Sequence, residues 1–210
     1  MGVDERKGYD ENFHLDPFLW LMLRDCDPAE LAARSWVELH KKGEFRFSFL
    51  NRECRIDPQA ETIVIARSAG FREASFMEAL VALTYLVKAA PITPSGNLAT
   101  EKDLKGGALF FQGPHALLKN PVLKRFQSQP VDMVKAGEAL GGVAVDYGDA
   151  AVKLRPLPKI PVIYVLHRGD EEFDAKLVII FDKTIQDHLA LDVIWALINV
   201  TSMWLLKSAD

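Results

Sequence analysis

An α+β fold is predicted by three features of this chain. Segments with the two-residue period of strands gather over residues 44–65 and again over 143–181, helical periodicity fills the ground between them, and the regular strand-helix alternation of a doubly wound sheet is missing. The expected architecture is a set of antiparallel strand meanders packed with helices, in a single domain over residues 15–210 that follows a polar N-terminal leader over residues 1–14. A length of 210 residues suits one well-buried core. Hydrophobic residues at 49% and charged residues at 26% match a folded globular protein and exclude a disordered or fibrous one.

The elements follow in order. Residues 17–23 are apolar and bulky and predict a short helix. The next helix is better marked: Asp27 can accept the unpaired amides of a helix start, Pro28 suits the first helical position, and Glu30 can reach back as the far side of a capping box. It is expected to run from Pro28 to about His40 and to stop at Gly43. Phe45, Phe47 and Phe49 then alternate with Glu44, Arg46 and Ser48, the period of a half-buried strand. A turn at Asn51-Arg52 leads to a second strand through Cys54 and Ile56, ended by Asp57-Pro58, and to a third over residues 62–65.

Residues 72–90 predict a helix whose stripe of Phe76, Leu80, Leu83 and Val87 faces the sheet, stopped by Pro91. Residues 91–104, with their Pro, Ser, Gly and Asn, read as a surface loop, and Gly106-Gly107 precedes an apolar stretch over 108–111. Further helices are expected over 115–126, disturbed by Pro121, and over 131–140, closed by Gly141-Gly142. Strands return over 143–146, 151–155, 161–167 and 176–181, and a helix over about 191–207 closes the chain. That last helix is apolar on both sides, which implies either full burial or a homodimer contact.

Composition narrows the function classes. A net charge of −4 supplies no field to draw nucleic acid. Cys26 and Cys54 fit neither a disulfide framework nor a four-cysteine zinc or iron-sulfur site, so two reduced thiols in the cytoplasm are expected. The charged residues 1–11 lack the apolar centre of a secretory signal. The most apolar stretch, residues 189–206, is interrupted by Asp192 and Asn199, so no membrane span is expected.

Ligand chemistry is most concentrated around Gly169-Asp170-Glu171-Glu172-Phe173-Asp174, with Asp182 and His188 following. Five carboxylates fall from Asp170 to Asp182, four of them on a connection between two apolar strands and the fifth just past the second strand. Such a cluster raises the cost of ionisation unless solvent, a cation or a basic side chain compensates. Asp170, Glu171 and Asp182 offer oxygen donors to a magnesium or calcium ion, and His188 adds a nitrogen that favours a transition metal or an axial position on a tetrapyrrole. The same residues have a plain structural reading: charged hairpin tips are solvated, Asp182 can cap the next helix, and a histidine at a helix start satisfies itself by hydrogen bonding. No phosphate loop, dinucleotide fingerprint, nucleophile elbow or paired-histidine helix is present. Trp20, Trp36, Trp195 and Trp204 sit at helical positions where they either line an apolar pocket or fill the core.

Lys105-Gly106-Gly107-Ala108-Leu109-Phe110-Phe111, Ala139-Leu140-Gly141-Gly142, Leu157-Pro158-Lys159-Ile160-Pro161, Gly169-Asp170-Glu171-Glu172-Phe173 and Phe181-Asp182 occur in this order, together with the region from Leu31 to Ser35. The ordered set resembles the prokaryotic family called domain of unknown function 3786. The resemblance spans most of the chain and implies a small domain of anaerobic bacteria and archaea, sometimes attached to an iron-sulfur-binding segment, which this chain lacks. It carries no activity. Where the family pattern implies a Glu near the start of the final helix, this chain has Leu191-Asp192.

Three readings of function follow. The leading one is a cytoplasmic accessory or binding protein for a metal, cofactor or protein partner in anaerobic metabolism, with its site around Asp170, Glu171, Asp182 and His188. The second is a metal-assisted hydrolase in which the acidic residues hold the cation and His188 moves a proton. The third is a structural interaction subunit that pairs through its C-terminal helix.

Overall fold

Two antiparallel five-stranded sheets share one apolar core with the helices, as an α+β fold requires. The computed structural model describes residues 14–209, so the leader expected over residues 1–14 lies, apart from His14, outside the described residues. The first sheet is a meander of β1 (Glu38–Leu39), β2 (Phe45–Phe49), β3 (Arg52–Asp57), β4 (Thr62–Arg67) and β5 (Gly70–Glu73), with neighbours in chain order. The second contains β6 (Leu98–Thr100), β7 (Val143–Ala144), β8 (Ala150–Leu157), β9 (Ile160–His167) and β10 (Lys176–Asp182), in the spatial order β6-β10-β9-β8-β7. The helices are α1 (Pro17–Asp25), α2 (Pro28–Ser35), α3 (Phe76–Lys88), α4 (Gly107–Phe110), α5 (Lys119–Phe126), α6 (Pro130–Ala139), α7 (Ile185–His188) and α8 (Leu191–Lys207).

Period-two patterning places Phe45, Phe47 and Phe49 on the buried face of β2. The β2–β3 turn falls at Leu50-Asn51, one residue earlier than predicted, because both take positive φ, at 47° and 61°. Left-handed residues match a two-residue hairpin to the twist of its strands. Leu50 is fully buried and donates its N–H to the Pro156 carbonyl at 3.1 Å, bringing the first sheet against β8.

Four predicted elements are corrected. The helix from Pro28 ends at Ser35 and not near His40, because Trp36 turns left-handed (φ 56°, ψ 41°) and caps it by donating to the Ala32 and Ala33 carbonyls. The helix expected from Arg72 starts at Phe76: Arg72 and Glu73 pair with Ile65 and Val64 as β5, and a capping box of Ser75 and Glu78 opens α3. The expected loop over 91–104 contains β6, whose Ala99 pairs with Phe181; three residues of strand stabilised only by a distant partner leave no periodic trace in sequence. The helix expected from His115 begins at Lys119, which puts Pro121 in the first turn, where its missing N–H has no intrahelical partner to lose.

Glu78 ties three elements together. It is buried, takes both guanidinium arms of Arg72 at 2.6 Å, and accepts from the Trp204 indole of α8 at 2.9 Å. Burial opposes its charge, but these donors and the Ser75 amide prevail and hold its pKa below the ordinary carboxylate value.

The helix α8 is buried within its own chain, packed on α3, α5 and α6, which accounts for its apolar character on both sides. Asn199, the polar interruption in that stretch, accepts the Leu118 amide at 3.2 Å. Among the described residues no helix is long and apolar enough to cross a membrane.

α6 approaches β8 through Gly137: a Cβ there would meet the Val152 side chain at 2.4 Å. Gly137→Ala should therefore lose about 1–2 kcal/mol in urea unfolding, despite the higher helix propensity of alanine, and Val152→Ala in the same chain should recover part of the loss.

Candidate functional site

The chain breaks between α1 and α2, and that break opens a cleft. α1 stops at Asp25, and Asp27 restarts the helical path by accepting the Glu30 amide at 2.8 Å, with Pro28 at the first helical position. The resulting corner faces Pro91, Ile92 and Thr93 across a space of about 740 Å³. Acidic residues Asp25, Asp27 and Glu30, the apolar Leu31 and Trp36, and the cations Arg34 and Lys159 are among the residues that line it.

Lys159 is the least expected of these residues. It sits in the two-residue turn between β8 and β9 and is 1% exposed. Its ammonium donates to the Arg34 carbonyl at 2.5 Å and to the Ala90 carbonyl at 2.6 Å, and lies 5.3 Å from the centre of the Trp36 ring, within cation-π range. Burial and the neighbouring Arg34 cation push its pKa below the ordinary lysine value. The Arg34 guanidinium itself donates to the Ala89 and Val87 carbonyls at 2.6 and 2.7 Å. Two cations thus satisfy the carbonyls at the C-terminal end of α3, where the helix dipole favours positive charge.

Trp36 is 49% exposed although it occupies a left-handed position that normally suits glycine. A bulky residue there stores about 1 kcal/mol of backbone strain. Its indole gains the Lys159 contact on the inner side and offers surface to the cleft.

The four residues expected to bind a metal are distributed over both ends of β10. Asp170 and Glu171 lie on the β9–β10 hairpin tip, as predicted for a connection between two buried strands, and both are exposed. Asp170 accepts the Glu172 and Phe173 amides at 2.9 and 2.8 Å; these bonds, outweighing the small cost of burial, hold its pKa below the ordinary value. Asp182 stands at the far end of the seven-residue β10, about 20 Å from the hairpin end at the usual rise of a strand. His188 ends α7. Among the described residues no group of three or more His, Cys, Asp or Glu is placed to hold a metal ion.

Asp182 and His188 both hold the connection that lines the cleft, through backbone groups on either side of residues 91–93. Asp182 accepts from the Ser95 amide at 3.1 Å and hydroxyl at 3.0 Å, the Gly96 amide at 2.6 Å, and the Thr184 amide and hydroxyl at 3.0 and 2.6 Å. Burial works against its charge, yet these donors win and lower its pKa to about 2. His188 is also buried, and its Nδ1 accepts the Ala90 amide at 3.1 Å. Residues 91–93 are therefore suspended between anchors at Ala90 and at Ser95-Gly96. Asp182 does not cap α7 as expected: Thr184 is the N-cap residue and Asp182 bonds its amide and hydroxyl, not the first-turn amides, while its hold on residues 95–96 has no sequence trace.

Burial drives the Cys54 thiol well above its ordinary pKa, and Cys26 and Cys54 are both free. Sequence reasoning passed over Lys159 and Arg34 as site residues. One trace of Lys159 was available: it is a lone charge between Leu157-Pro158 and an unbroken apolar run, where a solvated lysine is out of place.

Lys159→Met would leave the Arg34 and Ala90 carbonyls without their donor, so a loss of about 3 kcal/mol in chemical denaturation is expected. Asp182→Asn should weaken the acid dependence of stability. Its lowered pKa favours the folded state above the ordinary aspartate pKa, a contribution lost as pH falls towards 2. Wild type should therefore lose stability steeply between pH 4 and 2, and the variant less so.

The family model described as Domain of unknown function (DUF3786) matches residues 27–204, which include Arg34, Trp36, Lys159 and residues 91–93 of the cleft. No curated protein and no solved structure matches the chain. The chain belongs to the DUF3786 family.

Proposed function

We propose that this DUF3786 member is a binding or accessory protein of the cytoplasm whose ligand is a small molecule held in the cleft between Trp36 and residues 91–93. The supporting observation is Trp36 itself: a half-exposed indole kept in a strained left-handed conformation, 5.3 Å from a buried ammonium, in the lining of the cleft. Glycine would cap α2 without the strain, and the Lys159 contact engages one part of the indole while its exposed surface faces the cleft. A volume of about 740 Å³ falls within the range of small-molecule sites.

The cleft also suggests the ligand's shape. Trp36, Ile92 and Pro91 supply a flat apolar face, and Asp25 and Glu30 supply acceptors along the rim. A flat organic ring bearing a donor at one edge would match both. Two unpaired thiols, one beside the cleft, agree with a reducing compartment. The metal-ligand reading of Asp170 and Glu171 draws no support from a donor set, and their exposure suits a solvated hairpin tip.

Trp36→Gly separates binding from folding. The variant should stay within about 1 kcal/mol of wild type in stability, because relief of the left-handed strain offsets the lost cation-π contact. It should lose the binding of flat heteroaromatic fragments detected by NMR in the wild type through the Trp36 indole N–H. Fragments that bind wild type and Trp36→Gly equally, or none that move the Trp36 signal, would contradict the proposal.

A further inference from the structure

We infer that His188 is a proton-operated latch on the cleft wall, which holds Ala90 when the imidazole is neutral and releases it when the imidazole is protonated. This concerns the regulation of the cleft, and only its effect on a ligand rests on the binding function proposed above. The geometry assigns the tautomer. Nδ1 accepts the Ala90 amide at 3.1 Å, so its lone pair is engaged and the ring proton of the neutral form resides on Nε2. Nε2 is buried and has no hydrogen-bond partner among the described residues.

A second proton can only go to Nδ1. It converts the acceptor of the Ala90 amide into a donor, and two N–H groups then face one another at a distance where one bond had been. Ala90 is the residue from which the wall hangs, because its carbonyl also receives the Lys159 ammonium at 2.6 Å and its next three neighbours line the cleft.

The charged surroundings act in both directions. Lys159, on the β8–β9 turn, opposes a second cation; Asp182, at the end of β10, and Asp187, on α7 itself, favour one. Burial and Lys159 prevail, and the pKa of His188 lies below the ordinary histidine value. The folded chain therefore takes up this proton less readily than the unfolded chain. The associated stability is intact above about pH 6.5, falls as pH drops below it, and levels off beneath the folded-state pKa.

The second anchor does not respond in this range, since Asp182 stays ionised down to about pH 2. Protonation of His188 removes the amide bond at one end of residues 91–93, where the Lys159 contact to the Ala90 carbonyl alone remains, while the other end stays tied at Ser95 and Gly96. The outcome is a wall hinged at Asp182 and unlatched at His188.

The test uses the full chain labelled with 15N, without any ligand. Long-range 1H-15N correlation at pH 7.5 should show the Nε2–H tautomer at His188. Amide exchange, corrected for intrinsic rates and followed downward from pH 7.5 until the His188 ring 15N shifts report the cation, should show protection at Ala90 falling about tenfold or more in step with that protonation, with Gly96 unchanged. His188→Asn, whose carboxamide oxygen accepts from Ala90 throughout that range, should keep constant protection. An Nδ1–H tautomer, unchanged Ala90 protection in wild type, or an equal fall in His188→Asn would each overturn the latch. If His188→Asn does not fold, the wild-type tautomer and exchange profile decide alone. Because these readouts need no ligand, failure of fragment binding would count against the cleft function and leave the latch standing.

Discussion

The burial of the Lys159 ammonium is the constraint around which the molecule is organised. Removing an ammonium from water costs several kcal/mol, and the chain offsets that cost by presenting carbonyls from Arg34 and Ala90, which lie 125 and 69 residues away in sequence. Those carbonyls terminate the backbone path of α2 and extend that of α3. The β8–β9 hairpin, the corner after α2 and the end of α3 can therefore be satisfied only together. Leu50 to Pro156 and Trp204 to Glu78 join the same halves of the chain elsewhere, but each uses neutral groups or an acceptor already paired with Arg72. At Lys159 an uncompensated charge would remain if any partner were missing.

The cleft follows from that arrangement. α3 ends at Lys88 ahead of Pro91, Lys159 and Arg34 satisfy the carbonyls left over, and residues 91–93 then pass the α1–α2 corner across the cleft. Asp182 and His188 then fix the two ends of the passage. Asp182 takes three donors from Ser95 and Gly96 at one end; at the other, Ala90 is held by its carbonyl to Lys159 and by its amide to a neutral imidazole, and only that last bond depends on a proton near neutrality. Trp36 faces the space between the wall and the lysine, and its strained backbone is the visible cost of presenting an indole there.

Much of this fold was legible because local chemistry and tertiary placement agree. Phe45, Phe47 and Phe49 announce β2, Asp27-Pro28 starts α2, Gly141-Gly142 closes α6, and the apolar runs at Ile160 and Leu177 give the central strands β9 and β10. Elements decided by partners distant in sequence were hidden. Arg72 and Glu73 have the composition of a helix and become strand by pairing with β4, and β6 exists through β10 alone. The site shows the same division. Asp182 and His188 stood out as candidate ligands following the acidic stretch, and both are buried, yet what they bind is backbone amide, which no side-chain pattern records. Asp170 and Glu171 stood out through density of charge, a property that solvent alone explains.

The account depends on an ammonium at Lys159 that is shielded from water and held by two carbonyls, and NMR of lysine side-chain NH3+ groups reads that directly. In 1H-15N spectra near neutral pH and room temperature, where solvated lysine ammonium protons exchange too fast to be resolved, Lys159 should give a persistent, slowly exchanging resonance that disappears in Lys159→Met. If no slowly exchanging lysine ammonium is found in the wild type, or if the resonance survives that substitution, the charge is not where the fold requires it and the account of the cleft fails with it.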